Sequence, residues 1–162
     1  MNKKIRKIRA FLFWLIPVAL VQILAGLITS ESIGRWYNSL KKAPWNPPAW
    51  VFGPVWSLLY MMMVVAVWII SQSKSIKNKK NKAYILFCFQ LFFNGLWSFL
   101  FFGLQNPGWA LIDLVVLTIL IALTFLSFYR INKKAGFLLL PYLLWTIYAL
   151  SLNIAIWWLN LL

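Results

Sequence analysis

The stretch AYILFCFQLFFNGLWSFLFFGLQNPGWALI, residues 83–112, contains no charged side chain. An α-helix needs roughly 20 consecutive apolar residues to cross the hydrocarbon layer of a bilayer, and residues 84–104 supply them. Gln105-Asn106-Pro107-Gly108 then reads as a tight turn, built from the residue types that punctuate a chain. A second apolar segment begins directly after it. Working outward, uncharged runs recur at 10–30, 43–73, 114–129 and 135–162. The chain is therefore expected to be an all-α membrane protein, a five-transmembrane-helix bundle. The spans lie near 10–29, 51–71, 84–104, 109–129 and 137–158. Short connections leave room for one integral-membrane domain over residues 1–162, with its longest loop at 30–50.

Composition agrees with this. Charged residues make up 11% of the chain and apolar residues 63%, against about a quarter and about half in soluble domains. The basic segment Lys3-Lys4-Ile5-Arg6-Lys7-Ile8-Arg9 resembles the opening of a signal peptide. The apolar run after it is too long for one and is followed by no small-residue cleavage site, so the first span is expected to be retained.

The net charge of +14 does not imply a nucleic-acid partner, because the cations are segregated. Thirteen of the 16 lie at Lys3–Arg9, Lys74–Lys82 and Arg130–Lys134. Five spans put these three clusters on one side of the membrane. The other side has only Arg35, Lys41 and Lys42. This asymmetry predicts a cytoplasmic N-terminus and an outer C-terminus. The basic loops are expected to meet anionic lipid headgroups of the bilayer.

The chemistry-bearing residues are few. There are two acidic residues, no histidine and one cysteine, Cys88. An intramolecular disulfide is impossible, and a protein-built transition-metal site is not expected. No internal repeat is evident, which disfavours a repeat-built transporter. What the chain has instead is 11 tryptophans, side chains that line flat apolar pockets and sit at membrane interfaces.

Helical spacing sorts candidates onto faces. Gln90, Asn94, Trp97 and Phe101 recur at intervals of four, three and four. Tyr142, Trp145, Ala149 and Leu152 do the same in the last span, as do Trp56, Tyr60 and Met63 in the second. Gly26, Gly95 and Ala149 are small enough for close helix approach. The amides serve either a ligand or helix–helix hydrogen bonding, and the indoles either a pocket or core packing. Asp113 is the only carboxylate within a span. It reads either as a functional group or as a complement to the N-terminus of the fourth span. The loop containing Trp36, Lys41-Lys42-Ala43-Pro44-Trp45-Asn46-Pro47-Pro48 and Trp50 reads as a stiff lid on the outer face or as an interfacial aromatic belt.

These residues resemble the translocator protein family, also called tryptophan-rich sensory proteins or peripheral benzodiazepine receptors. The matching text is Trp36-Tyr37-x-x-Leu40-x-Lys42-x-x-Trp45-x-Pro47-Pro48 and Pro54-x-Trp56-x-x-x-Tyr60. It continues as Gln90-Leu91-x-x-Asn94-x-x-Trp97-x-x-x-Phe101-Phe102-Gly103, then Gly108-Trp109-Ala110-x-x-Asp113. Last come Pro141-Tyr142-x-x-Trp145, Ala149 and Leu152-Asn153. The resemblance implies a five-helix fold, a homodimer, and a pocket under the first loop. It implies porphyrins or haem-like tetrapyrroles as ligands, together with synthetic isoquinoline carboxamides and benzodiazepines. It also implies light-driven porphyrin oxidation in some bacterial members, with Trp56 and Trp145 as the pocket tryptophans that carry it. Asn94, Trp97 and Trp109 match further pocket positions. Two departures stand out. Ala43 replaces the family proline after the loop lysine, with Pro44 one place later, and Ile154 and Trp158 replace the C-terminal sterol motif of animal members.

The expectation is an integral protein of a bacterial cell membrane that binds a tetrapyrrole and senses or photo-oxidises it. A ligand transporter and a regulatory scaffold are the alternatives. Candidate ligand-binding residues are Trp36, Trp45, Trp56, Tyr60, Gln90, Asn94, Trp97, Trp109, Asp113, Tyr142, Trp145 and Ala149. No built-in cofactor is expected. A porphyrin has an apolar body and carboxylates that Arg35, Lys41 and Lys42 could meet at the outer mouth.

Overall fold

In the computed structural model, which describes residues 2–161, five long helices account for most of the chain and no strand occurs among the described residues. They are α1 (Lys3–Ser32), α2 (Phe52–Gln72), α3 (Lys77–Ser98), α4 (Pro107–Ile131) and α5 (Lys133–Leu159). All five are long and apolar enough to span a bilayer. Their packing makes a ring in the order α1, α2, α5, α4, α3, closing back on α1. The core fills the ring with Met63, Val67, Phe87, Leu117, Ile121 and Tyr142, all essentially buried.

The helices extend beyond the expected spans at their basic ends. α1 starts at Lys3, α3 at Lys77 and α5 at Lys133. A span read from uncharged residues marks the hydrocarbon layer, whereas lysine and arginine are good helix formers that carry the helix on into the headgroups. At that end Trp68 Nε1 donates to the Lys7 carbonyl at 3.1 Å, which joins α1 to the end of α2.

The loop between α1 and α2 is shorter than the expected 30–50. No proline interrupts residues 30–43, so the helix runs on past Ser32 through a wide π-type turn, Ile33–Tyr37. Trp36 therefore stands on a helical extension rather than in a loop. The Ser32 hydroxyl donates to the Phe102 carbonyl at 2.7 Å. The irregular segment begins near Leu40 and ends in a short 3₁₀ turn, Ala49–Val51. It is fastened to α5: the Lys41 N–H donates to Asn160 Oδ1 (3.0 Å), Asn160 Nδ2 to the Lys41 carbonyl (2.9 Å), and the Tyr148 hydroxyl to the Trp45 carbonyl (2.7 Å). Tyr37 donates to Asn46 Oδ1 at 3.1 Å.

The joints before and after α4 have clear local causes. Gln105 takes a positive φ of 51°, and Asn106 caps α4 by accepting from the Trp109 N–H at 3.1 Å, with Pro107 at a position where its missing N–H costs nothing. Asn132 ends α4 and starts α5 in one residue. Its N–H donates to the Phe128 carbonyl at 2.7 Å, and its side chain accepts from the N–H groups of Lys134 (2.9 Å) and Ala135 (3.2 Å).

So sharp a hairpin brings backbones together. A Cβ on Gly136 would lie 2.7 Å from Tyr129 Cα, a backbone atom that cannot swing away. Gly136→Ala should therefore cost about 1–3 kcal/mol through overpacking. Thermal unfolding of the detergent-solubilised variant measures this, and an unchanged midpoint would mean that the hairpin relaxes freely.

Candidate functional site

At the end of the bundle opposite the three basic clusters, four elements line a half-open cavity of about 420 Å³. α1 contributes Gln22, Gly26 and Thr29, α2 contributes Trp56 and Tyr60, α3 and the π-type turn after it (Phe99–Gly103) contribute Asn94, Trp97 and Phe101, and α5 contributes Ala149, Leu152 and Asn153. Ala49 and Trp50 flank it on the loop side.

One wall is aromatic. Trp97 stacks on Phe101 with centroids 5.2 Å apart and planes 24° from parallel. Trp56 lies 6.5 Å from Trp97 at 29°, and Tyr60 is 5.8 Å from Trp56. Hydrogen bonds hold these rings. Trp97 Nε1 donates to Asn153 Oδ1 at 3.1 Å, and Asn153 Nδ2 donates to the Pro107 carbonyl at 2.8 Å. The floor is polar. The Tyr60 hydroxyl donates to Asn94 Oδ1, and Asn94 Nδ2 donates to the Tyr142 hydroxyl at 2.8 Å. A primary amide has two N–H donors, so Asn94 keeps one for a cavity occupant. Gln22 Nε2 donates to Ser57 Oγ at 3.2 Å, bridging α1 and α2.

Of the candidate residues, Trp56, Tyr60, Asn94, Trp97 and Ala149 line the cavity. The others stand elsewhere. Trp36 packs edge-on to Phe101 at 5.5 Å, behind the wall. Tyr142 is fully buried beneath Asn94. Gln90 is buried deeper in the bundle, with its amide nitrogen 3.7 Å from Met63 Sδ. Trp145 stands behind Phe52, centroids 6.0 Å apart, and its buried indole N–H has no partner among the described residues. Trp45 and Trp109, 55% and 62% exposed, are not among the residues that line the cavity.

Asp113 is 4% exposed, and neither carboxylate oxygen has a hydrogen-bond partner among the described residues. It is the seventh residue of α4, which starts at Pro107. A helix N-terminus acts only within the first turn, so the complementing role is set aside.

The cations at the cavity end are partly committed. Lys42 Nζ lies 4.7 Å above the Tyr37 ring and donates to the Leu40 carbonyl at 3.1 Å. Burial lowers its pKa from the ordinary lysine value.

Sequence reasoning missed the contribution of α1. Gln22, Gly26 and Thr29 are spaced by four and three on an otherwise apolar span, and that spacing was the available signal. Gly26 was expected to permit close helix approach, yet a Cβ there would meet nothing within 4 Å, because it faces the cavity. Gly95 does pack closely, its Cβ position lying 3.3 Å from Val21 Cγ1.

Residues 13–159 match the TspO/MBR family. The chain belongs to that family. Its relatives include the tryptophan-rich protein TspO of Chlorobaculum tepidum, 43% identical over 82% of this chain and 84% of that protein. The tryptophan-rich protein TspO of Archaeoglobus fulgidus is 39% identical over 90% of this chain and 94% of that protein. The human translocator protein is 37% identical over 76% of this chain and 73% of its own length. Family membership and five spanning helices make this an integral membrane protein.

Proposed function

We propose that this TspO/MBR protein binds a planar tetrapyrrole in the outer cavity and reports on it or oxidises it in light. The observation that carries the reading is the aromatic stack Trp56–Trp97–Phe101, set over a polar floor in a cavity of about 420 Å³. That volume lies within the roughly 300–1,000 Å³ of small-molecule pockets. Offset stacking on indole rings suits a flat π-system. The lining contains no histidine, cysteine or methionine, and its two tyrosines, a further axial-ligand type for haem iron, donate to Asn46 and Asn94, so the donor set favours a metal-free porphyrin over haem.

Nothing in the cavity is suited to hydrolysis. The ligand would supply the chemistry: light excites the porphyrin, dioxygen is the oxidant, and Trp56 is the indole placed against the macrocycle. The protein's share is to hold the ring, orient it with the free Asn94 N–H, and limit access of water. Titration with protoporphyrin in darkness and then in light tests this. Saturable dark binding with protein-dependent bleaching supports it. Bleaching no faster than that of free porphyrin in detergent leaves a binding protein only, and no dark binding overturns the reading. Porphyrin flux into proteoliposomes would favour transport.

In this reading the three basic clusters face the cytoplasm, a proposal supported by 13 cations against three. In a Cys88→Ser background, a cysteine placed in the 74–82 segment should resist an impermeant thiol reagent in intact cells and react after permeabilisation. Equal labelling in both conditions would reverse the orientation.

A further inference from the structure

A second concavity, of about 360 Å³, lies at the opposite, basic end between the start of α3 and the end of α4. Lys79, Lys82 and Leu86 line it from α3, and Leu123, Leu126 and Arg130 from α4. The two helices run antiparallel, so the groove has two levels. The three cations are at the rim. The leucines lie deeper, four residues below Lys82 and seven below Arg130, or about 6–10 Å along the helix axes.

The cations are uncompensated. Lys80, beside them, is committed to the Ser71 and Ser73 carbonyls at 3.0 and 2.9 Å. The side chains of Lys79, Lys82 and Arg130 make no hydrogen bond or ion pair among the described residues. The chain's two acids give no relief. Glu31 is at the end of α1, at the outer face, and Asp113 is buried near the outer end of α4. Three like charges around one groove repel each other unless an anion arrives from outside the chain.

We infer that this groove is a specific site for one anionic diacyl phospholipid, with its headgroup phosphate held by Lys79, Lys82 and Arg130 and an acyl chain laid along Leu86, Leu123 and Leu126. Basic pockets between membrane helices suit such headgroups. Arginine provides a forked pair of donors for the phosphate oxygens. A soluble anion would use the rim but not the aliphatic wall, whose Leu123 and Leu126 are exposed on the lipid-facing side of the bundle.

Native mass spectrometry of the full chain, delipidated and then exposed to phosphatidylglycerol and phosphatidylcholine with matched acyl chains, tests the site. The intact protein should retain one phosphatidylglycerol, roughly tenfold in preference to phosphatidylcholine, given the attraction each cation adds at a membrane surface. Lys79→Gln/Lys82→Gln/Arg130→Gln should abolish the preference. Lys79→Arg/Lys82→Arg should keep it, and so should Lys3→Gln/Lys4→Gln, which removes charge from the same end but outside the groove. Thermal unfolding checks that each variant is folded, and the three single glutamine variants, each losing part of the preference, replace the triple variant if it is not. Undiminished preference in the glutamine variants overturns the assignment. So does equal retention of the two lipids by the intact protein. Displacement of the adduct by glycerol phosphate as readily as by whole lipid would also overturn it, leaving a rim site for soluble anions.

Discussion

Asn94→Ala should lower the unfolding midpoint of the solubilised protein and, on the proposed function, weaken porphyrin binding together with it. Asn94 is 2% exposed and joins three helices, accepting from Tyr60 on α2 and donating to Tyr142 on α5 at 2.8 Å. Alanine removes both bonds and leaves two buried phenols without their partner. Buried unsatisfied groups cost about 1–3 kcal/mol each. Interhelical hydrogen bonds in membrane bundles average nearer 0.6 kcal/mol and reach about 1.7. A total loss of about 1–3 kcal/mol therefore follows. Tyr142→Phe removes only the second bond and should lose less. A normal midpoint with weakened binding would confine Asn94 to ligand contact. If neither changes, the amide is not the hub that its geometry describes.

Trp56→Phe separates photochemistry from pocket shape. The ring is retained, but the indole, which is the more easily oxidised system, is lost. Dark affinity for protoporphyrin should change little, while light-driven loss of its absorbance slows sharply. Trp56→Ala should also weaken dark binding, by roughly ten- to hundredfold, as the stacking surface disappears. Trp145→Phe should have the smaller effect on both, because Phe52 stands between that indole and the cavity at 6.0 Å. Equal slowing by the Trp56 and Trp145 variants would mean that the ligand reaches past Phe52. Dark affinity and light decay falling in parallel for Trp56→Phe would make the residue a wall and nothing more.

The five spans, the Asn106-Pro107-Gly108 joint and the one-sided cations were legible in the chain itself. Each rests on a local rule: charge is costly in hydrocarbon, and a capping side chain acts within one turn. The same local rules do not give the helix ends. Absence of charge marks the hydrocarbon layer, while the α1 backbone continues from Lys3 to Tyr37.

The site was legible only in part. The Asn94–Trp97 and Trp56–Tyr60 faces were readable from spacing. That Trp45 and Trp109 turn outward, that Trp145 falls behind Phe52, and that α1 supplies a cavity wall were decided by tertiary packing. In a soluble protein the hydrophobic pattern separates inside from outside. In a bilayer the lipid is as apolar as the protein interior, so large rings occupy every face of these helices. The sequence alone determined that five helices cross the membrane and which ends are basic. Only the ring order α1–α2–α5–α4–α3 decided which aromatic residues meet around a cavity and which meet lipid, because that choice depends on contacts between helices distant in the chain.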